Sequence, residues 1–268
     1  MQQSVENLVV FAGKKTLSFL NIVKEISKLI NEVFYWTFIS PMIGGKIRFK
    51  SIFSEMVKVG YNSILIVSVI SFFVGIILAL QSAYQLKKVG ALIYIANLVG
   101  VSLTRELGPI ITAIIVAGRS GSSFAAEIGS MKAAEEIDAL KSMGINPVSY
   151  LVSPKMIAML IMVPCLTILS DFIGILGGFV LAITAVNIHP FSYIQQTLNA
   201  LMVKDVITGL VKAISFGGII TIVGTYHGFQ VSGGAEEVGR RTTSSVVSSI
   251  FMVIVFDLFF TALFYYFT

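Results

Sequence analysis

Five ionisable residues stand in stretches too apolar to solvate them: Arg105, Glu106, Asp171, Lys212 and Asp257. A charge at the centre of a membrane span costs about 2.5–3.5 kcal/mol on the insertion scale, so such groups face a bundle interior or an aqueous cavity. Two chemistries fit them. They can line a pathway in which Arg105 or Glu106 meets a polar headgroup. They can also lock helices together as ion pairs, Glu106 with Lys212 or Arg105 with Asp171. Adjacent helical residues point about 100° apart, so Arg105 and Glu106 are not expected to share one job. No nucleophile motif accompanies these groups. His189 and His227 lie far apart without metal-ligand spacing, and GKKT at 13–16 lacks the upstream glycine of a phosphate-binding loop. If ATP drives this protein, another chain hydrolyses it.

The elements that must position these charges are membrane spans. Of 268 residues 56% are hydrophobic and 12% charged, where a soluble domain carries about 25% charged. Crossing a bilayer takes roughly 20 apolar residues, and the uncharged tracts 59–86 and 213–235 are long enough. The expected spans are 61–83, 91–118, 156–186, 206–229 and 246–267. Stripes of small residues mark where helices can approach closely: Gly75/Ala79/Ala83, Ala113/Ala117/Gly121, Gly174/Gly178 and Gly209/Ala213/Gly217.

Three further elements complete the all-α integral membrane architecture. Residues 5–38 form an amphipathic helix suited to the headgroup region, with Phe19, Ile22, Ile26, Leu29 and Val33 on one face. Asn21, Lys24, Glu25, Lys28 and Glu32 occupy the other face, and the aromatic cluster Phe34-Tyr35-Trp36 follows. Between the second and third spans, residues 119–155 form a polar connection around a helix with Ala126, Ser130, Ala133, Ile137 and Leu140 on one face. Glu127, Glu135, Glu136 and Asp138 make it acidic, and Gly144 with Asn146-Pro147 ends it. Residues 187–204 form a short interfacial helix with Phe191, Ile194, Leu198 and Leu201 on one face, and GGAEEVGRRTTSS joins the last two spans as a loop. Cys165 stands alone in an apolar run, which excludes a disulfide framework and points to a buried packing thiol. Residues 1–13 have neither the basic start nor the long apolar run of a cleavable signal peptide.

The net charge of +5 is explained by topology, not by a nucleic-acid partner. With the N-terminus inside, fourteen of the nineteen Lys and Arg fall on cytoplasmic segments, while Lys87, Lys88 and Lys204 fall outside. That bias places the C-terminus on the far side.

The most specific sequence is the run RELGP…AGR-x-G-S…AEIG-x-M within LTRELGPIITAIIVAGRSGSSFAAEIGSM (103–131). Together with FFVGIILALQ (72–81), GLVKAISFGGII (209–220), SGGAEEVGRRTTSSVVSS (232–249) and FDLFFTAL (256–263), it resembles the MlaE (YrbE) permeases of ABC lipid transporters. The resemblance covers roughly 50–268 as one permease domain, with 1–49 set apart as the interfacial helix and linker. It implies a homodimer in the cell inner membrane and an ABC ATPase subunit that binds the ATP and Mg. It also implies a small STAS-type cytoplasmic subunit and an MCE-domain periplasmic lipid-binding protein. The cargo would be phospholipid moved between inner and outer membranes, as in maintenance of outer-membrane lipid asymmetry. The lipid pathway would involve Gln81, Tyr84, Arg105, Glu106 and Leu107. The 120–145 helix, through Glu127, Glu135, Glu136, Asp138 and Gly144, would couple to the ATPase. DALKSMG (138–144) loosely resembles the motor-contacting loop of ABC importers. One departure is Arg241, where a small residue is expected. Two other readings stay open from the residues alone: a proton-coupled secondary transporter using Glu106, Asp171 and Asp257 as relays, and a membrane scaffold.

Overall fold

One helix of 32 residues, α8 (Ser153–Thr184), is the post around which the others stand. Our computed structural model describes residues 20–43 and 48–267, and the readings that rest on 1–19 and on Lys46 lie outside the described residues. Among the described residues every regular element is helical, and five helices are long and apolar enough to cross a membrane. The surface helix α1 (20–34) leads into a π-helical turn, Tyr35–Ile39. Then come α2 (Phe49–Val59) and α3 (Ile64–Lys88), which together make the first span. The second is a continuous helix, Leu92–Ala133. It contains α4 (Ile95–Ser102), α5 (Gly108–Val116) and α6 (Ser122–Ala133), separated by π-helical turns at Leu103–Leu107 and Ala117–Gly121. After α7 (Glu136–Ser142) and the post α8 come α9 (Pro190–Ala200), α10 (Val203–Phe229) and α11 (Ala235–Phe267).

Small residues let the helices meet backbone to backbone. The stripe Gly75/Ala79/Ala83 is buried, and α3 makes its main contact with α8. A Cβ at Gly75 would run into the Gly174 carbonyl, and one at Gly177 into that of Phe72. The Ser71 and Ser170 hydroxyls are hydrogen-bonded at 2.7 Å in the same seam. Gly75→Ala is therefore expected to lower stability by about 1–3 kcal/mol through overpacking. Thermal unfolding of the detergent-solubilised protein measures it, and an unchanged midpoint would contradict this packing.

Four features differ from the sequence reading. The helix of the second span does not stop near Gly118; it continues to Ala133, because Phe124, Ala125, Ile128 and Gly129 recur at helical spacing and bury against α10 and α11. The polar composition after Arg119 hid this, since serine and glycine suit a tight helix seam as well as a loop. The acidic connection is not one helix either. It breaks between α6 and α7, where Glu135 takes the left-handed conformation at φ 60, a strain on the order of 1 kcal/mol for a residue with a Cβ. GGAEEVGRRTTSS is helical from Ala235 onward. Cys165 is exposed, not buried; α8 is apolar on all sides, so periodicity cannot tell its inward face from its outward one.

The end of α7 follows its sequence closely. Gly144, at φ +75, donates its N–H to Lys141 O while Ile145 donates to Leu140 O, which is the Schellman closure that favours glycine. Asn146 Oδ1 then accepts the N–H groups of Val148 and Ser149 at 2.9 and 3.2 Å, capping the next helical segment with Pro147 in its first turn. On α9, Phe191, Ile194 and Leu198 point away from the protein while Tyr193 and Thr197 are buried. α1 likewise buries Val33 and exposes Leu20, Val23, Ile30 and Phe34, and the turn after it exposes Phe38.

Candidate functional site

The π-helical turn Leu103–Leu107 sets the geometry of the intramembrane charges. Pro109 has no N–H to give the Arg105 carbonyl, and the N–H of Gly108 bonds five residues back, to Leu103 O. Such a turn accommodates one extra residue and re-aims the side chains on it. Glu106 thereby reaches α10 and α11, where it pairs with Lys212. The Lys212 ammonium is 1% exposed and also lies 3.0 Å from Asp257 Oδ1. It donates to Thr261 Oγ1 at 2.8 Å, and the Thr261 hydroxyl stands 3.2 Å from Glu106 Oε2. One cation on α10 thus holds two carboxylates and a hydroxyl from two other helices. Burying such an ammonium is tolerable only because it is paired with two carboxylates and hydrogen-bonded to Glu106 and Thr261.

Arg105 leaves in another direction, and its Nε is 3.6 Å from Asp205 Oδ1. Asp205 in turn caps the start of α10, accepting the Met202 N–H at 3.1 Å. Of the two pairings considered from sequence, Glu106–Lys212 forms and Arg105–Asp171 does not. Asp171 is buried with its Oδ1 packed against Gly108 and without a hydrogen-bond partner among the described residues. Arg105 and Glu106 remain 41% and 34% exposed, so the turn presents a guanidinium and a carboxylate at the edge of an apolar bundle.

Of the other expected pathway residues, only Leu107 shares this turn. Gln81 and Tyr84 are exposed near the end of α3, with the Lys88 ammonium 4.5 Å above the Tyr84 ring. Leu107 packs into the apolar cluster around Val99, Leu103 and Tyr193. Asp205 and Thr261 escaped the sequence reading. Asp205 sits at a span boundary where an acid is unremarked, and Thr261 is one hydroxyl in an aromatic-rich helix.

The acidic connection divides into two environments. Glu127, on α6, accepts a hydrogen bond from the buried Lys155 ammonium at 2.8 Å. Asp138, on α7, is held between Lys141 at 2.9 Å and Lys132 at 3.3 Å. Those two ammonium groups, Lys141 first, hold the Asp138 carboxyl below the usual carboxylate range. Their contribution is present at neutral pH and lost as the pH falls through that lowered pKa. Glu135 marks the break, Glu136 opens α7, and both are exposed. Ile137 and Leu140 bury with Val33, Val148, Leu151 and Val152, so the surface helix and the connection share one small core. Glu25 fastens the same helix to α10 by accepting the Gln230 side-chain N–H at 2.6 Å. Between α1 and α7 lies a groove of about 650 Å³ reached by Lys28, Lys132, Ile145 and Phe229. Arg241, the residue that departs from the resemblance, lies with Arg240 beside Glu237, at 3.4 and 3.2 Å.

Comparison with known proteins adds a separate line of observation. The family described as "Permease MlaE" matches residues 52–263. A probable ABC transporter permease protein of Rickettsia typhi is 40% identical over 98% of both chains. Another, of Synechocystis, is 38% identical over 81% of this chain and 83% of its own. The Arabidopsis thaliana chloroplastic protein trigalactosyldiacylglycerol 1 is 31% identical over 84% of this chain and 64% of its own.

Proposed function

The chain belongs to the MlaE permease family, and from that premise we propose that it captures phospholipid and passes it between the inner and outer membranes, driven by ATP that a partner subunit hydrolyses. The transporter-permease character follows from the family and from five membrane-crossing helices. The single observation that carries the cargo reading is the exposed Arg105–Glu106 turn at the edge of an otherwise apolar bundle. A guanidinium presents a planar fork to a phosphate, the carboxylate beside it accepts from an amine or hydroxyl headgroup, and surrounding apolar faces suit acyl chains. Gln81, Tyr84 and Leu107 belong to this pathway in the assembled pocket. The assembly is a homodimer, and the outward face of α11 supports it: Val247, Phe251, Ile254, Leu258 and Phe259 are exposed along one long helix.

In this reading the N-terminus is cytoplasmic and the C-terminus periplasmic. α1 lies in the cytoplasmic headgroup layer on its exposed apolar stripe, and α9 does the same on the opposite surface. The ATPase seats on α6–α7, with Glu127, Glu135, Glu136, Asp138 and Gly144 shaping the contact, and binds the ATP and Mg. An MCE-domain protein receives or delivers lipid at the periplasmic face, a small STAS-type subunit completes the cytoplasmic side, and the role served is outer-membrane lipid asymmetry.

Affinity purification in mild detergent tests the assembly: an ABC ATPase, an MCE-domain protein and phospholipid should accompany the chain. Glu106→Leu leaves Lys212 with Asp257 and Thr261 but removes the exposed carboxylate. It is expected to reduce lipid transfer between liposomes by about tenfold or more, the loss of a charge-assisted contact of roughly 1.5–3 kcal/mol. Unchanged transfer would move the pathway away from this turn. One observation favours a second reading, the buried Asp171 carboxyl whose Oδ1 has no hydrogen-bond partner among the described residues. Transport that persists without any ATPase and collapses with the proton gradient would select a proton-coupled transporter instead.

A further inference from the structure

A second buried cation lies at the opposite end of the bundle from Lys212, among residues that the lipid pathway does not use. Lys155, in the first turn of α8, has a side chain 2% exposed. Its ammonium is 2.8 Å from Glu127 on α6, 3.3 Å from Glu55 on α2 and 5.0 Å from the centre of the Phe124 ring. Three separate helices therefore meet at one ammonium.

The two carboxylate arms are unequal. Glu55 is 9% exposed, and its other oxygen is held by Lys58 at 2.7 Å. Glu127 is 38% exposed, so water can solvate its carboxylate when the contact opens, while Lys155 keeps Glu55 as its buried partner. Opening the Glu55 arm would take the cation from its Oε2, which is buried and has no hydrogen-bond partner among the described residues, and that is expensive. Glu127 also stands on α6, whose last residue, Ala133, precedes the left-handed break and α7. A displacement of α7 reaches this contact before it reaches the membrane interior.

We propose that Lys155 is a positioning residue for coupling: its fixed arm to Glu55 anchors α8 to α2, and its exchangeable arm to Glu127 registers the position of the motor-facing segment. The proposal rests on the reading of the chain as an ATP-driven lipid permease. When the Glu127 arm is closed, α6 and α8 are held together at the cytoplasmic end; when it opens, α6 is free to shift along α10 and α11. Neither residue touches cargo.

The test uses the full chain with its ATPase in liposomes containing phosphatidylethanolamine and phosphatidylglycerol. Phospholipid transferred per ATP hydrolysed is measured for Glu127→Gln, Lys155→Met, Lys155→Arg and the exchange Lys155→Glu with Glu127→Lys. Glu127→Gln should lower that ratio by about tenfold, within the range of ordinary coupling energies, while the unfolding midpoint holds. Lys155→Arg should restore the wild-type ratio. Should Lys155→Met fail to fold, Glu127→Gln still decides the matter, because it leaves Lys155 paired with Glu55. A ratio unchanged in Glu127→Gln, or a fall in transfer matched by a fall in ATP turnover and in stability, would overturn the proposal. A readout independent of cargo is the spin-label distance between Ser130→Cys on α6 and Ile161→Cys on α8, in a Cys165→Ser background. ATP should change that distance in the parent and not in Glu127→Gln. A parent complex that showed the distance change yet moved no phospholipid would refute the cargo assignment and leave the joint standing; no distance change would refute the joint.

Discussion

Lys212→Met should destabilise the protein by about 3–5 kcal/mol, the usual consequence of removing one partner from a buried charge cluster. Without the ammonium, Glu106 and Asp257 face each other across the Thr261 hydroxyl with no cation between them. The methionine fills the volume of the lysine stem, so the loss is electrostatic and not a cavity effect. Neutralising the carboxylates as well, with Glu106→Gln and Asp257→Asn in the Lys212→Met background, should recover most of the stability and none of the transport. Thermal unfolding in detergent separates the two cases. A single variant as stable as the parent would show that the three helices are held by packing alone.

The second large effect is expected far from any charge in the membrane. Ala139→Pro should abolish lipid transfer by disconnecting the ATPase, although Ala139 faces no cargo. Its N–H bonds to the Glu135 carbonyl at 3.0 Å, and proline removes that bond and clashes with the same carbonyl, at about 3 kcal/mol or more. α7 has seven residues, too few to keep its helix after such a loss, whereas the spans on either side do not depend on it. The expected result is a complex whose ATP hydrolysis no longer responds to the permease and whose transfer is at background. Ala139→Ser, which keeps the N–H, should behave as the parent does. Normal transfer by Ala139→Pro would remove α7 from the coupling route.

Comparing sequence with structure shows which physical signals survive in one dimension. Span count and the small-residue seams were legible, because 20 uncharged residues and a four-residue glycine–alanine spacing admit few other uses. The Glu106–Lys212 pair was legible as one of two pairings because both charges stood in apolar runs. Asp205 was not, since an acid at a span end needs no explanation. Lys155 looked like one more cytoplasmic basic residue in the charge count; only the packing of α2 and α6 around it shows it buried. The break at Glu135 left no trace either, as KAAEE contains neither glycine nor proline to announce a left-handed residue. Cys165 illustrates the opposite difficulty: in a helix apolar on every side, composition cannot point inward.

The second span has a mechanical consequence of its own. At 1.5 Å per residue, the 42 residues from Leu92 to Ala133 make a rod of about 60 Å, roughly twice the thickness of the hydrocarbon it crosses. A rod that long, pivoting near its middle, is a lever with nearly equal arms. A tilt of about 5° would carry each end roughly 2.5 Å in opposite senses, as far as a hydrogen bond is long. Angles that small leave ridges and grooves in register along the helix seams. In such a tilt the strokes at the rod's two ends would be of the same size and opposite sign.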